Sequence, residues 1–222
     1  MNTAAFQFRD AALAALPSGA LHWPAMGLLV VSDLHFGKSA RLSAVGGAAL
    51  PPYETRETLL RLEADLAATG ADRVICLGDS FDAAGIDAAL PEDDRLWILR
   101  LQAGRDWTWI EGNHDPGPVS LGGTHLAELT IGPLVFCHIA TPGAVGEVSG
   151  HYHPKARLRL RGRVISRPCF LVDERRLILP AYGAYTGGLR CDHAALAGLM
   201  NPDARAILTG PTPVTIPMSR SA

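Results

Sequence analysis

Short apolar runs recur along the chain, and their periods separate two kinds of element. The run at 28–32 reads as a continuous apolar strand, the pattern of a strand buried on both faces. Val74 to Leu77 reads as a second strand, and further strands are predicted at about 107–110 and 133–137. From Pro51 the period changes. Leu59, Leu62 and Leu66 fall at i, i+3 and i+7, with Arg56, Glu57, Arg61 and Asp65 around the other face and Gly70 as a stop. A second helix opens at Pro91 and carries Glu92, Asp93 and Asp94 in its first turn, where the helix dipole favours negative charge. This helix is expected to bury Leu96, Trp97 and Leu101 and to stop near Gly104. Residues 1–26 show no decisive period and read as short strands or turns around Pro17-Ser18-Gly19 and Pro24. From 157 onward the chain looks β-rich, apart from a short helix at 193–200.

Strands alternating with helices early, and β-rich segments late, predict an α/β core completed by a second sheet. No repeat, low-complexity tract or long linker divides the chain, so residues 1–222 are expected to form one domain.

The ends of the apolar runs change the picture from fold to chemistry. GLLVVSDLH closes on Asp33 and His35, DRVICLGD on Asp79, and WTWIEGNH on Asn113 and His114. GPLVFCH closes on His138, and VSGHYH on His151 and His153. Five of the eight histidines therefore stand at strand ends. A strand that stops at a sheet edge hands its next side chains to the rim, where α/β proteins build their sites. Asp33-x-His35 and His151-x-His153 have a spacing that points both side chains to one side of an extended backbone. Carboxylate, imidazole and amide oxygen together suit a borderline divalent ion, with Mn²⁺, Fe²⁺ and Zn²⁺ all compatible. No cysteine joins the set, which argues against a structural thiolate zinc site.

Composition narrows the reading. Apolar residues make up 48% of the chain, enough for a sizeable core, and the formal charge of −2 removes an overall electrostatic footprint for nucleic acid. Any such footprint must be local. Cys76, Cys137, Cys169 and Cys191 form no CxxC pair and read as small buried hydrophobes in a reducing compartment. No apolar stretch approaches the ~20 residues of a membrane span. The AALAAL segment near the start is shorter than a signal core of ~7–15 residues. A cytoplasmic protein with no membrane partner is expected.

Taken in order, Asp33-Leu-His35, Gly78-Asp79, Gly112-Asn113-His114-Asp115, His138 and Gly150-His151-Tyr-His153 resemble the motifs of the calcineurin-like metallophosphoesterases. DLHFGK, the GGAALP segment near residue 50, GHYHP, RPCF and LPAYGAYTGG extend the resemblance to about residues 25–190, toward the ligase-associated DNA damage response endonucleases of the PdeM type. The resemblance implies a four-layer αββα sandwich with a binuclear site at the strand ends. It implies one metal held by Asp33, His35, Asp79 and His153, and the other by Asp79, Asn113, His138 and His151, with Asp79 bridging. His114 would stay off the metals and protonate the leaving oxygen. The implied protein is a Mn²⁺-dependent endonuclease of single-stranded DNA, with a DNA ligase or helicase of repair as partners and a homodimer among the possible assemblies. Two departures stand out. Asp82 lies where closer relatives often carry histidine, and Ile139-Ala140 where they often show Glu-Pro. Neither removes a metal ligand; both bear on substrate preference.

Weaker candidates surround this set. Lys38 and Arg41 follow the first ligand pair and are phosphate contacts or plain surface charges. Asp115 either orients His114 or forms a turn before Pro116. His22, His125 and His193 lie outside the motifs and read as surface or packing residues. Trp107 and Trp109 read as core, Tyr152 as packing, and Tyr182 and Tyr185 as packing or base-stacking residues. In Lys155-Ala-Arg157-Leu-Arg159-Leu-Arg161-Gly-Arg163, period-two alternation puts five basic residues on one face, either a track for a polynucleotide backbone or a charged edge strand. Two other functions remain open: a hydrolase of small phosphoesters with the same metals, and a non-catalytic scaffold of the same fold. The complete ligand set and the presence of His114 weigh against the scaffold.

Overall fold

A computed structural model of the chain describes residues 2–44, 46, 53–160 and 162–219. Its first half forms a seven-stranded sheet of β1 (Ala4–Phe8), β2 (Ala11–Ala15), β3 (Leu21–Trp23), β4 (Leu28–Val31), β5 (Arg73–Leu77), β6 (Asp106–Ile110) and β7 (Thr124–Leu126), side by side in chain order. The strands from β1 to β4 pair antiparallel, and those from β4 to β7 pair parallel. Parallel neighbours need crossovers. These are α1 (Lys38–Ala44) and α2 (Glu54–Thr69) after β4, then α3 (Ile86–Ala89) and α4 (Glu92–Gln102) after β5. Because the strand order never reverses, right-handed crossovers fall on one face of the sheet. There Leu59, Leu62 and Leu66 of α2 and Ile98 and Leu101 of α4 pack on Leu29, Val31, Val74, Cys76, Trp107 and Trp109. Gly70 ends α2 in the left-handed conformation, its N–H returned to the Leu66 carbonyl, as the stop residue requires.

The second half builds the opposing sheet from β8 (Glu128–Ile131), β9 (Leu134–Cys137), β10 (Glu147–Ser149), β11 (Lys155–Leu160), β12 (Arg163–Val172), β13 (Arg176–Ile178), β14 (Arg205–Leu208) and β15 (Val214–Pro217). Its order is β15-β14-β12-β13-β10-β9-β8, with β11 paired to β12, and β9, β10 and β13 run parallel. Alternation along each strand divides the cores. Leu28, Val30, Ile75, Leu77 and Ile110 of the first sheet meet Phe136, Val148, Phe170, Val172 and Leu177 of the second. Each such buried side chain contributes about 1.5–3 kcal/mol, so apolar contact holds the sheets face to face. Cys169, Leu171 and Ile178 point the other way, against Leu196 and Met200 around α5 (Ala194–Leu199). Helices, sheet, sheet and helix make the four layers, the last reduced to α5 among the described residues.

Of the short strands or turns read near the start, strands form: β1 to β3 extend the sheet, and Phe8, Ala11, Leu13 and Ala15 join the inter-sheet core. One local expectation changes. In α4 the buried positions are Asp94, Ile98 and Leu101, while Leu96 is 55% exposed and Trp97 only partly buried. Asp94, Ile98 and Leu101 lie at i, i+4 and i+7, which turns Leu96 outward, and the Arg56 guanidinium satisfies the buried Asp94 at 2.9 Å.

Candidate metal centre

The parallel strands β4, β5 and β6 of one sheet and β9 and β10 of the other deliver their C-terminal ends to one rim. Beyond Val31 the backbone leaves the extended region. Asp33 N–H donates to the Gly78 carbonyl at 3.2 Å and His35 N–H to the Asp79 carbonyl at 2.9 Å, so the loops after β4 and β5 run on together. Among the described residues seven non-glycine positions have positive φ, and five are Asp33, His35, Asp79, His151 and His153. The extended geometry expected for the two x-spaced pairs is therefore incorrect. Each pair converges through left-handed turns, at roughly 1–2 kcal/mol per residue. Strain of this kind persists where surrounding structure enforces it, and it clusters at functional sites. The enforcement is visible at two glycines. A Cβ at Gly78 would lie 2.5 Å from the His138 ring, and one at Gly150 only 1.8 Å from Ser32 Oγ.

The side chains gather into two clusters, Asp33 with His35 and His153, and Asp79 with His138 and His151, the ligand atoms of each within 4.8 Å of one another. Each cluster draws on both sheets. In the first, Asp33 is wholly buried and its Oδ1 lies 3.0 Å from His153 Nε2. In the second, Asp79 Oδ2 lies 3.3 Å from His138 Nε2, which also stands 3.1 Å from Asn113 Oδ1 and 3.3 Å from His151 Nδ1. His138 Nδ1 is anchored on the Leu77 carbonyl at 2.8 Å, leaving Nε2 toward the cluster. Buried polar atoms are normally paired, yet His35 Nε2 is buried with no hydrogen-bond partner, and His153 Nε2 meets only the Asp33 carboxylate. Converging imidazole nitrogens without donors to receive, beside carboxylates, fit a pair of divalent ions.

Electrostatics prepares the two carboxylates for the same state. Burial opposes ionisation of Asp79, but the hydrogen bond and charge of His138 prevail and bring its carboxyl down to about 2. Asp33 is likewise held low by His153 against its burial. His138 is raised: burial works against its proton, and Asp79 and Asp33 outweigh the burial. His151 is lowered by burial and by the neighbouring His138.

His114 belongs to neither cluster. Its side chain is 42% exposed, with Nε2 3.9 Å from Asp79 Oδ2 and Nδ1 3.2 Å from the Asp82 carbonyl, and its backbone N–H donates to Asp79 Oδ1 at 2.8 Å. Asp115 does not engage that imidazole. Its Oδ2 accepts the N–H groups of Ser80 and Phe81 at 2.7 and 3.0 Å and so fastens the Asp79 loop, while burial pushes its carboxyl up to about 6.

One contributor escaped the sequence. Asp82, legible only as a departure from relatives, is buried with Oδ1 3.0 Å from His35 Nδ1 and Oδ2 bonded by Arg41 Nε. A carboxylate on the far nitrogen of a ligating histidine fixes ring orientation and raises basicity. Arg41, a phosphate contact or a plain surface charge by sequence, has its Nε committed to Asp82. Lys38 opens α1 just beyond Gly37.

The basic strand needs a second correction. Arg157 and Arg159 are exposed and share a face of β11, opposite the buried Ala156. Arg163 does not join them. The chain reverses after Leu160, and Arg163 pairs in register with Leu160, which puts it on the face of Ala156 and Leu158. Arg161 lies outside the described residues. Of the other candidates, Trp107 and Trp109 are core, His193 caps α5, and Tyr182 is fully buried with its hydroxyl on Asp65 at 2.8 Å. Tyr182 is therefore no stacking platform.

The family model for calcineurin-like phosphoesterases matches residues 26–193, which include both clusters. Among solved structures the chain is similar to the nuclease MPE of Pseudomonas putida, at 30% sequence identity and a TM-score of 0.73, with 96% of this chain and 100% of that chain covered. No curated protein matches the chain at a significant level.

Proposed function

As the chain belongs to the calcineurin-like phosphoesterase family, we propose that it is a binuclear-metal phosphodiesterase that cuts single-stranded DNA internally, with Mn²⁺ as its working ion. The observation that carries this reading is the pair of clusters, each bridging the two sheets, with His114 standing off both at their mouth. Asp33, His35, Asp79 and His153 would hold one ion, and Asp79, Asn113, His138 and His151 the other, Asp79 serving both. Bound divalent ions make water a nucleophile near neutral pH and offset charge developing on the phosphate. The chain does the rest. Asp33 and Asp79 stay ionised inside the protein and supply the negative charge that lets two cations lie close together. Asp82 sets the tautomer of His35, and the Leu77 carbonyl sets that of His138. His114, with Nδ1 toward a carbonyl and Nε2 toward the clusters, gives its proton to the departing oxygen.

DNA as the substrate is supported by the similarity to a nuclease over the whole chain, and by Arg157 and Arg159, which continue from His153 along β11. The oxygen and imidazole donors admit Mn²⁺ without selecting it against Fe²⁺ or Zn²⁺. Circular single-stranded DNA, offered with Mn²⁺, Fe²⁺, Zn²⁺ and Mg²⁺ in turn beside a cyclic nucleotide, tests every part of the proposal. Linearisation of the circle, fastest with Mn²⁺, is the expected result. Turnover of the cyclic nucleotide with an intact circle would replace the nuclease by a small-phosphoester hydrolase.

A further inference from the structure

Of the seven non-glycine residues with positive φ, five are the clustered ligands and Arg9 turns the β1–β2 hairpin. The seventh, Tyr185 (φ 58°), has no such reason. Its loop reads Gly183-Ala-Tyr-Thr-Gly-Gly188, so glycine stands on either side of the one position where glycine would relieve strain. The ring on this strained backbone is also kept in the open. Tyr185 is 45% exposed, and among the described residues its side chain has no hydrogen-bond or ring partner. Local stability favours replacing it, and packing gives no reason to keep it.

Both ends of the loop are tied to the first metal cluster. Tyr182 N–H donates to the Ser32 carbonyl at 2.8 Å and Gly183 N–H to the Asp33 carbonyl at 3.1 Å. At the other end a Cβ at Gly188 would lie 2.2 Å from the His153 carbonyl, and Leu189 N–H donates to the Tyr152 carbonyl at 3.3 Å. Successive Cα atoms are about 3.8 Å apart, so Tyr185 sits within roughly 8 Å of Gly183 and hence beside the Asp33 loop. It borders a cleft of about 350 Å³ whose walls include Arg61, Thr186 and Thr209. The cleft is open and polar, with one aromatic face at its edge, a form suited to a planar ring that bears polar groups and is attached to a chain.

Resting on the nuclease reading above, we propose that Tyr185 is the stacking platform for a nucleobase adjoining the scissile phosphate, and that the cleft beside it receives that nucleoside. The stack accepts any base, because every base has a π-face. The backbone strain fixes where the ring is presented.

The test is an abasic scan. A single-stranded oligonucleotide with one preferred cleavage position is prepared as a series, each member lacking one base near the cut. For the wild type, removing the stacked base should lower kcat/KM by at least about fivefold at one offset and little elsewhere. Tyr185→Phe should reproduce that offset. Tyr185→Gly should cut the intact strand more slowly and show no offset, while its thermal midpoint is equal or higher because glycine suits φ 58°. A wild type indifferent to the scan, or a Tyr185→Gly variant with the same offset as the wild type, overturns the proposal and leaves the nuclease reading intact. A wild type that hydrolyses bis(p-nitrophenyl) phosphate yet cuts no oligonucleotide overturns the nuclease reading and this proposal together.

Discussion

At the scale of single residues, the proposed mechanism separates groups that hold charge from one that would move a proton. His114 shares no cluster with the ligands and is open to solvent. His114→Ala should therefore keep nearly normal metal content and lose about 10²–10⁴-fold in DNA cleavage. A nitrophenyl diester, whose leaving group needs little protonation, should lose far less; equal loss on both substrates would remove the acid role. Asp82→Asn tests the contact on His35. It should weaken metal affinity about 10–100-fold, measured by calorimetry, with partial recovery of activity at high Mn²⁺. His138 gives the pH dependence. Its pKa in the fold is raised above the ordinary 6.5, so its proton stabilises the metal-free protein below that pH, and the stabilisation fades as pH climbs through the raised value. An incoming ion must displace that proton. Affinity for divalent ions should thus strengthen from pH 6.5 upward and level off once His138 is neutral, with proton release seen as buffer-dependent binding heat near pH 6.5. Binding heat independent of the buffer there would contradict the assignment.

At the scale of elements, the legible features were those written into a single strand. Runs such as Leu28–Val31 and Arg73–Leu77 announce strands covered on both faces, and the polar residues that stop them are the rim. What arises between elements was not legible. Ala11–Ala15 is helix-favouring by composition and becomes a strand because β1 and β3 pair with it. The left-handed turns at Asp33, His35 and Asp79 come where two loops bond to each other. Asp82 looked like a lost histidine until the fold brought it against His35. Arg163 changed face because a reversal restarts the alternation. That last difference makes a sharp test. Arg157→Ala with Arg159→Ala should flatten the salt dependence of single-strand binding by about 0.7 per contact, roughly 1.4 for the pair, whereas Arg163→Ala should leave the slope unchanged. Equal effects from all three would mean that the face does not matter and that only overall charge does.

At the scale of the whole molecule, the two sheets are joined by an apolar core below and share two candidate metal clusters at the rim. Ions that bind only the joined form add to stability by mass action, about 2.7 kcal/mol at a hundredfold excess over Kd. For a chain of this size that is roughly 5–11 °C in thermal midpoint. Melting with Mn²⁺ and with chelator should differ by that amount, and Asp79→Ala should shrink the gap. An unchanged midpoint would mean that the ions do not bridge the sheets.

Because neither sheet owns a complete pocket, catalysis doubles as a gauge of global folding. A cavity introduced far from the rim, for instance by Phe170→Ala, touches no ligand, yet it loosens the seam on which both pockets depend. At scarce metal such a variant would pass for a ligand mutant. Excess metal would tell them apart, since mass action can press two intact half-pockets back together but cannot restore a missing carboxylate.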